Sequence, residues 1–273
     1  MGSTVPSIAQ WQGIFHKIGI EAELVARKWY GTEKARREIG RGAGGDTTVW
    51  LDKALEDIII KRLKPVGNLR LITEEAGILE FGDPKVTVIA DPLDGSTNAK
   101  HGIPMFAVSL ALAGKEPTLG SVKAGYVRNL IAGNEFTAVK GGGAWRDGKK
   151  LATSKNTNVK LLSLEFHPHT PETLRKSVQF ISTSEKVRSL GSIALDLCYT
   201  ASGIFDAVVD FRDRIRLLDI SAGKLILEEA GGIITDLRGK SIDPHAVGEN
   251  NRLSFIAAGN KTVHGKMLAL CRA

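Results

Sequence analysis

Cysteine is nearly absent. Cys198 and Cys271 are the only two in 273 residues, far apart and each set in an apolar helical pattern. That excludes a disulfide framework and a cysteine-ligated zinc site, and it predicts two buried structural thiols. Long hydrophobic runs are missing as well. No stretch of 18 apolar residues occurs, and the N-terminus has no basic start followed by an apolar core, so neither a membrane span nor a signal peptide is expected. The expectation is a cytoplasmic protein with no membrane partner. Aromatics make up only 6% of the chain. The net charge of +7 is scattered through clusters such as Arg36-Arg37, Lys61-Arg62-Lys64 and Arg212-Arg214-Arg216, without a block of five or six like charges. A basic stripe interleaved with stacking rings is therefore lacking, and nucleic acid is not an expected partner. Much of this charge reads as solvated surface, and a positive field also suits a small phosphorylated substrate. Internal repeats and low-complexity tracts are absent too. The glycine cluster Arg41-Gly42-Ala43-Gly44-Gly45-Asp46 has no strand before it and matches neither dinucleotide nor P-loop spacing, so it reads as a mobile loop.

What is present is enough apolar content, 42%, to bury a large core. Residues 1–273 read as a single domain, with an N-terminal α+β half of about 1–155 and a C-terminal α/β half of about 156–273. Residues 7–30 space Ile8, Trp11, Ile14, Phe15, Ile18, Ala22, Val25 and Trp29 by threes and fours, which predicts an amphipathic helix ended by Gly31. Asp46 or Thr47 is the expected cap of a second helix whose apolar face runs from Val49 to Leu63 and stops before Pro65. Segments 105–113, 119–127 and 135–140 read as antiparallel meander strands, and Asp147-Gly148 as a hairpin turn. Further strands are expected at 69–72, 161–166, 187–190, 205–211, 233–235 and 255–258, with helices over 194–201 and 263–270.

The most informative stretch is Val86 to Pro104. An apolar, β-branched run ends in Asp91 and Asp94, with Pro92 expected to stop the strand and Gly95 to permit a tight backbone before Ser96 and Thr97. Two acids fixed at a sheet rim repel each other unless a cation neutralises them, and hard oxygen ligands of this kind suit Mg²⁺, Mn²⁺ or Ca²⁺. The N–H groups of Gly95, Ser96 and Thr97 are placed to face an anion. Carboxylates for metal beside amides for phosphate point to phosphoryl chemistry.

Other acids have two readings each. Asp52 is either a first-turn helix acid or a residue supporting a metal site. Glu74-Glu75 follows a buried strand, and beside Asp91 and Asp94 it makes Glu74 a candidate third ligand. His167-Pro168-His169 reads as a surface loop. Asp219 stands where a strand gives way to a helix and is either an N-cap or part of a site. Arg212, Arg214 and Arg216 alternate after Asp210 and would share one face if the strand continued, lining either a solvated edge or an anion pocket.

Glu74-Glu75, then Asp91-Pro92-Leu93-Asp94-Gly95-Ser96-Thr97-Asn98, then Leu218-Asp219-Ile220-Ser221-Ala222-Gly223 with Glu229-Ala230-Gly231-Gly232 resembles the inositol monophosphatase family of Mg²⁺-dependent, lithium-sensitive phosphatases. Val209 to Arg216 and the Gly42-to-Thr47 segment look most like the archaeal members that combine inositol monophosphatase and fructose-1,6-bisphosphatase activity. The resemblance implies an α+β fold, an α-β-α-β-α sandwich, and a homodimer. It implies two or three Mg²⁺ ions, with Mn²⁺ able to substitute. Glu74, Asp91 and the carbonyl of Leu93 would hold one ion and Asp91, Asp94 and Asp219 a second, while a looser third would rest on Glu74. Ser96 stands where many members have threonine and would orient the attacking water with Glu74. Gly95 and Ser96 would bind phosphate, and Asp210 would bind substrate hydroxyls. Between Asp210 and Asp219 this chain has two more residues than the animal enzymes, Leu218 replaces a common tryptophan, and Ala99 replaces a larger residue. The implied reaction is hydrolysis of inositol-1-phosphate or fructose-1,6-bisphosphate by a metal-activated water, with two cations about 4 Å apart. The alternatives are a 3′(2′),5′-bisphosphate nucleotidase or NADP phosphatase on the same site, and a catalytically silent metal-binding sensor.

Overall fold

The computed structural model describes residues 5–43, 45, 47–166, 170–248 and 252–272. The expectations placed on Gly44, Asp46 and His167-Pro168-His169 fall outside them. In the first half, α1 (Ile8–Trp29) is followed by α2 (Glu33–Arg36), β1 (Glu38–Arg41), β2 (Thr47–Val49), α3 (Trp50–Leu63), β3 (Leu69–Thr73), β4 (Gly77–Phe81), β5 (Val86–Asp94), α4 (Ser96–His101), β6 (Ala107–Ala113), β7 (Ala124–Asn129), β8 (Glu135–Val139), β9 (Gly143–Arg146) and β10 (Lys149–Lys150). The second half comprises β11 (Leu161–Glu165), α5 (Pro171–Thr183), β12 (Lys186–Arg188), α6 (Ile193–Ala201), β13 (Ala207–Arg216), α7 (Leu217–Glu229), β14 (Ile233–Thr235), β15 (Arg252–Ala258) and α8 (Lys261–Arg272).

Eight strands form one sheet in the order β10-β9-β8-β7-β6-β5-β3-β4, and five form another in the order β12-β11-β13-β15-β14. Three apolar clusters give the layering. One packs α1 and α3 on the outer face of the large sheet, through Trp11, Phe15, Ile18, Leu55 and Ile59. A second buries α6 and α7 between the sheets, and a third packs Val263 and Met267 of α8 and Phe180 of α5 on the outside of the small sheet. The result is the α-β-α-β-α sandwich expected from the sequence. Gly125 shows how closely the middle layer sits: a Cβ there would lie 2.9 Å from the Ala222 carbonyl oxygen of α7.

Several local expectations need correcting. Pro92 does not stop β5, which runs on to Asp94 with a shift of register against β6 between Asp91 and Asp94. Leu119–Ser121 is a single 3₁₀ turn rather than the start of a strand. Part of the glycine-rich region is a hairpin, because β1 pairs with β2, and Thr47 is a strand residue rather than a helix cap. Pro171–Thr183 forms a helix, α5, that the expectations above do not include. Cys271 is only half-buried, whereas Cys198 is fully buried. The Asp147-Gly148 hairpin holds, with φ of 50° and 76° as a tight turn between twisted strands requires.

Candidate active site

Strand register brings the first two acids together. β3 and β5 run parallel with Thr73 beside Ala90, so Glu74, the first residue past β3, comes out beside Asp91 within β5. In a regular strand, positions three apart face opposite sides. The extra residue on β5 between Asp91 and Asp94 re-aims the strand, as bulges do, and turns both acids toward one place. Gly95 then takes φ 96° and opens α4. A Cβ there would stand 3.1 Å from the carbonyl oxygens of Gly191 and Met105 and from the Phe106 Cβ. Gly95→Ala should therefore cost about 1–3 kcal/mol of stability, read as a lowered melting temperature, and should lower turnover in parallel by displacing Asp94 and Ser96.

Each remaining acid is held at the start of a helix. Asp94 accepts hydrogen bonds from the Ile193 and Ala194 amides of α6, at 3.2 and 2.8 Å, and from the Ser192 hydroxyl at 2.5 Å. Asp219 lies inside the first turn of α7 rather than at its N-cap, which is Arg216, and accepts the Arg216 amide at 3.0 Å. Asp52 does the same for α3, accepting the Val49 amide at 3.2 Å. The capping reading and the site reading are thus two aspects of one placement: a carboxylate oxygen satisfies an orphan amide, and the group stays at the positive end of the helix.

Burial makes this cluster electrostatically tense. Asp91 is 2% exposed, and desolvation, then Glu74, Asp219 and Asp94, push its carboxyl well above the ordinary range against the pull of Arg216. Asp94 is pushed up to about 6 by burial, opposed by Ser192 and the two α6 amides. Asp219 reaches about 7, again by burial, with Arg216 opposing and Glu74 and Asp94 adding to it. Asp52 reaches about 7 through burial, opposed by the Val49 amide and raised further by Glu74 and Glu75. Arg216 answers part of the negative charge. Its guanidinium stands 2.6 Å from Glu74 and 3.3 Å from Asp219. Among the described residues, no three His, Cys, Asp or Glu side chains form a closed metal cluster. The donor set nonetheless fits a hard divalent cation: four carboxylates, three of them buried, are all oxygen ligands whose mutual repulsion such a cation would relieve.

The three arginines do not share a face. The register of β13 against β15 slips between Asp210 and Ile215, and Asp213 adopts φ 53°, so the alternation is lost. Arg212 turns to Asp210, with Nη2 at 2.5 Å, and to Glu165, with Nη1 at 3.1 Å. Arg214 is exposed, and Arg216 joins the acid cluster. Arg212 is thus an internal counter-ion to two acids rather than an open anion hook, while burial raises the Asp210 carboxyl against its pull. The register of β11 and β13 places Glu165 beside Asp210. Leu93 is buried and donates its amide to Asp91 at 3.0 Å; Ser96 is half-buried and Thr97 exposed. Glu165 and Ser192 are contacts of this cluster that the sequence does not single out. Their partners lie on strands or turns distant in the chain, and no local pattern marks them.

The model of the inositol monophosphatase family matches residues 9–273. The fructose-1,6-bisphosphatase/inositol-1-monophosphatase of Methanothermobacter thermautotrophicus is 35% identical over 271 residues, covering 96% of each chain. A bifunctional NADP phosphatase/NAD kinase of Methanococcus maripaludis is 30% identical over 93% of this chain and 48% of its own. Among solved structures, an inositol monophosphatase–fructose 1,6-bisphosphatase superposes with a TM-score of 0.83 at 30% identity, covering 95% of this chain and 99% of that one.

Proposed function

The chain belongs to the inositol monophosphatase family, and from that premise we propose that it hydrolyses phosphate monoesters of small polyols or sugars, with inositol-1-phosphate and fructose-1,6-bisphosphate as first candidates. The observation that carries the reading is the register of β3 and β5, which sets Glu74 beside Asp91, with the bulge bringing Asp94 to them and the first turn of α7 bringing Asp219.

Glu74, Asp91, Asp94, Asp219 and the Leu93 carbonyl would hold two or three Mg²⁺ ions, with Mn²⁺ as a substitute. Bound there, the ions would supply Lewis acidity toward phosphate and a lowered pKa for water. The chain's own part is positioning. Ser96 and Glu74 would orient the water, and Asp52, whose carboxyl is raised by burial and by the charge of Glu74, would serve as a further acid–base group. The amides that open α4 have no carbonyl preceding them in the helix and are suited to phosphate oxygens. Asp210 is buried with both its oxygens accepting from Arg212, so it would reach substrate hydroxyls only where those bonds open. No helix among the described residues is long and apolar enough to cross a membrane. The enzyme would act in the cytoplasm as a homodimer, as is common in the family it belongs to.

The test is phosphate release in Mg²⁺ across inositol-1-phosphate, fructose-1,6-bisphosphate, NADP and 3′-phosphoadenosine 5′-phosphate. Turnover of either of the first two is the expected result, and silence from folded protein across the panel would sink it in favour of a metal-binding sensor. A preference for NADP would support the second reading, which the relative carrying NADP phosphatase activity favours.

A further inference from the structure

The helix α3 carries two acids one turn apart on its buried face, Asp52 and Glu56. Glu56 is 0% exposed, an unusual place for a glutamate. One of its oxygens does nearly all the bonding. Oε1 accepts the Thr73 hydroxyl at 3.0 Å, the Glu75 amide at 3.2 Å and the Ala76 amide at 2.9 Å. Oε2 has no hydrogen-bond partner and faces the Lys53 ammonium at 3.8 Å. The three donors bracket Glu74. Thr73 pairs with Gly77 across β3 and β4, leaving Glu74, Glu75 and Ala76 as the whole connecting turn. Amides at the tip of so short a turn would otherwise face water; here both that flank the tip are drawn onto a side chain from another layer.

We propose that Glu56 is a positioning residue for Glu74. It gathers the hydroxyl before Glu74 and the two amides after it onto one carboxylate oxygen, and so fixes the direction in which Glu74 leaves the turn toward Arg216 and Asp91. The turn is held from other sides as well: Thr48 donates its hydroxyl to the Glu75 carboxylate, and the Glu75 carbonyl accepts the Ala43 amide at 3.0 Å. Neither contact reaches the amides that Glu56 holds. This inference rests on Glu74 being an acid of the reaction.

The experiment combines steady-state kinetics on inositol-1-phosphate and fructose-1,6-bisphosphate in Mg²⁺ with amide hydrogen exchange of the turn. Glu56→Ala should lower kcat by about tenfold or more while KM stays within about threefold, the mark of an interaction used in the transition state rather than in binding. The Glu75 and Ala76 amides should exchange about tenfold faster or more, with β6 amides unchanged. Glu56→Gln, which keeps an acceptor oxygen, should restore both readouts to within about threefold. If Glu56→Ala does not fold, Glu56→Asp withdraws the same oxygen by one carbon and should show the same signature more weakly. Turn amides exchanging at the parent rate overturn the proposal, as does faster exchange with unaltered kcat. Glu74→Gln keeps the two failures apart. It should abolish turnover without altering turn exchange; if it stays active, the reaction assignment has failed and exchange alone judges the clamp.

Discussion

Asp91→Asn should lower kcat by about 10³-fold or more while leaving the melting temperature unchanged or higher. Asp91 is fully buried beside Glu74, Asp94 and Asp219, with Arg216 the cationic neighbour that opposes them. Its charge is costly to the folded protein, and asparagine is nearly isosteric and keeps an oxygen for the Leu93 amide. The fold therefore loses nothing. The reaction loses the acid that the two proposed ion positions share, and a loss of about 4 kcal/mol in transition-state stabilisation corresponds to that fall in rate. Phosphate release and a thermal melt on the same preparation decide it. A variant that keeps more than about a tenth of the parent rate refutes the shared-ligand assignment. One that has also lost stability shows that Asp91 acts through the fold.

Opposite effects on rate and stability would also explain why this site was legible in the sequence. Asp91 and Asp94 interrupt an apolar run at a point where a structural protein would place neither, and Gly95 with two small hydroxyl residues follows at once. Such a local violation of strand pattern is readable without a partner. What decides Glu74 is a register between β3 and β5, and what decides Asp94 is a helix about a hundred residues later, whose amides it accepts. Glu56 and Glu165 were invisible for the same reason. Their carboxylates are defined by donors on other elements, and in sequence each is an ordinary glutamate in a helix or at a strand end. The alternation of Arg212, Arg214 and Arg216 is deceptive because it assumes a regular strand, whereas Asp213 breaks it with a left-handed backbone that aspartate tolerates better than most residues but does not dictate. The helix α5 is hard to place from sequence because its buried face is Ser177 and Phe180, while Leu174, Val178 and Ile181 point outward. By contrast, α1 was plain, since Trp11, Phe15, Ile18 and Ala22 all reach the core.

Asp206→Ala should cost about 3–5 kcal/mol of stability. Asp206 stands one residue before β13, is 2% exposed, and ties the link between the two sheets to the small one. Its Oδ1 accepts the Ser154 hydroxyl at 2.7 Å and the Asn156 amide group at 3.0 Å, and its Oδ2 accepts the Lys160 and Leu161 amides at 2.8 and 3.1 Å. Alanine would leave four donors unmet, two of them backbone, at the point where β11 and β13 begin their parallel pairing. For a chain of this size the loss should lower the melting temperature by roughly 6–20 °C. The site would feel it indirectly, because Glu165 and Asp210 lie at the far end of that pair. The acid limb gives an independent check. Burial alone would raise the Asp206 carboxyl, but the hydrogen bonds from Ser154, Leu161, Asn156 and Lys160 outweigh it and hold it below the ordinary value of 3.8. A carboxyl depressed in the folded state contributes stability that is present above its unfolded value and lost as pH falls through the folded one. The parent should therefore lose this contribution only below about pH 4, and the variant should show a shallower acid slope there. Equal slopes in calorimetric melts of parent and variant would mean that Asp206 holds the link by shape rather than by charge.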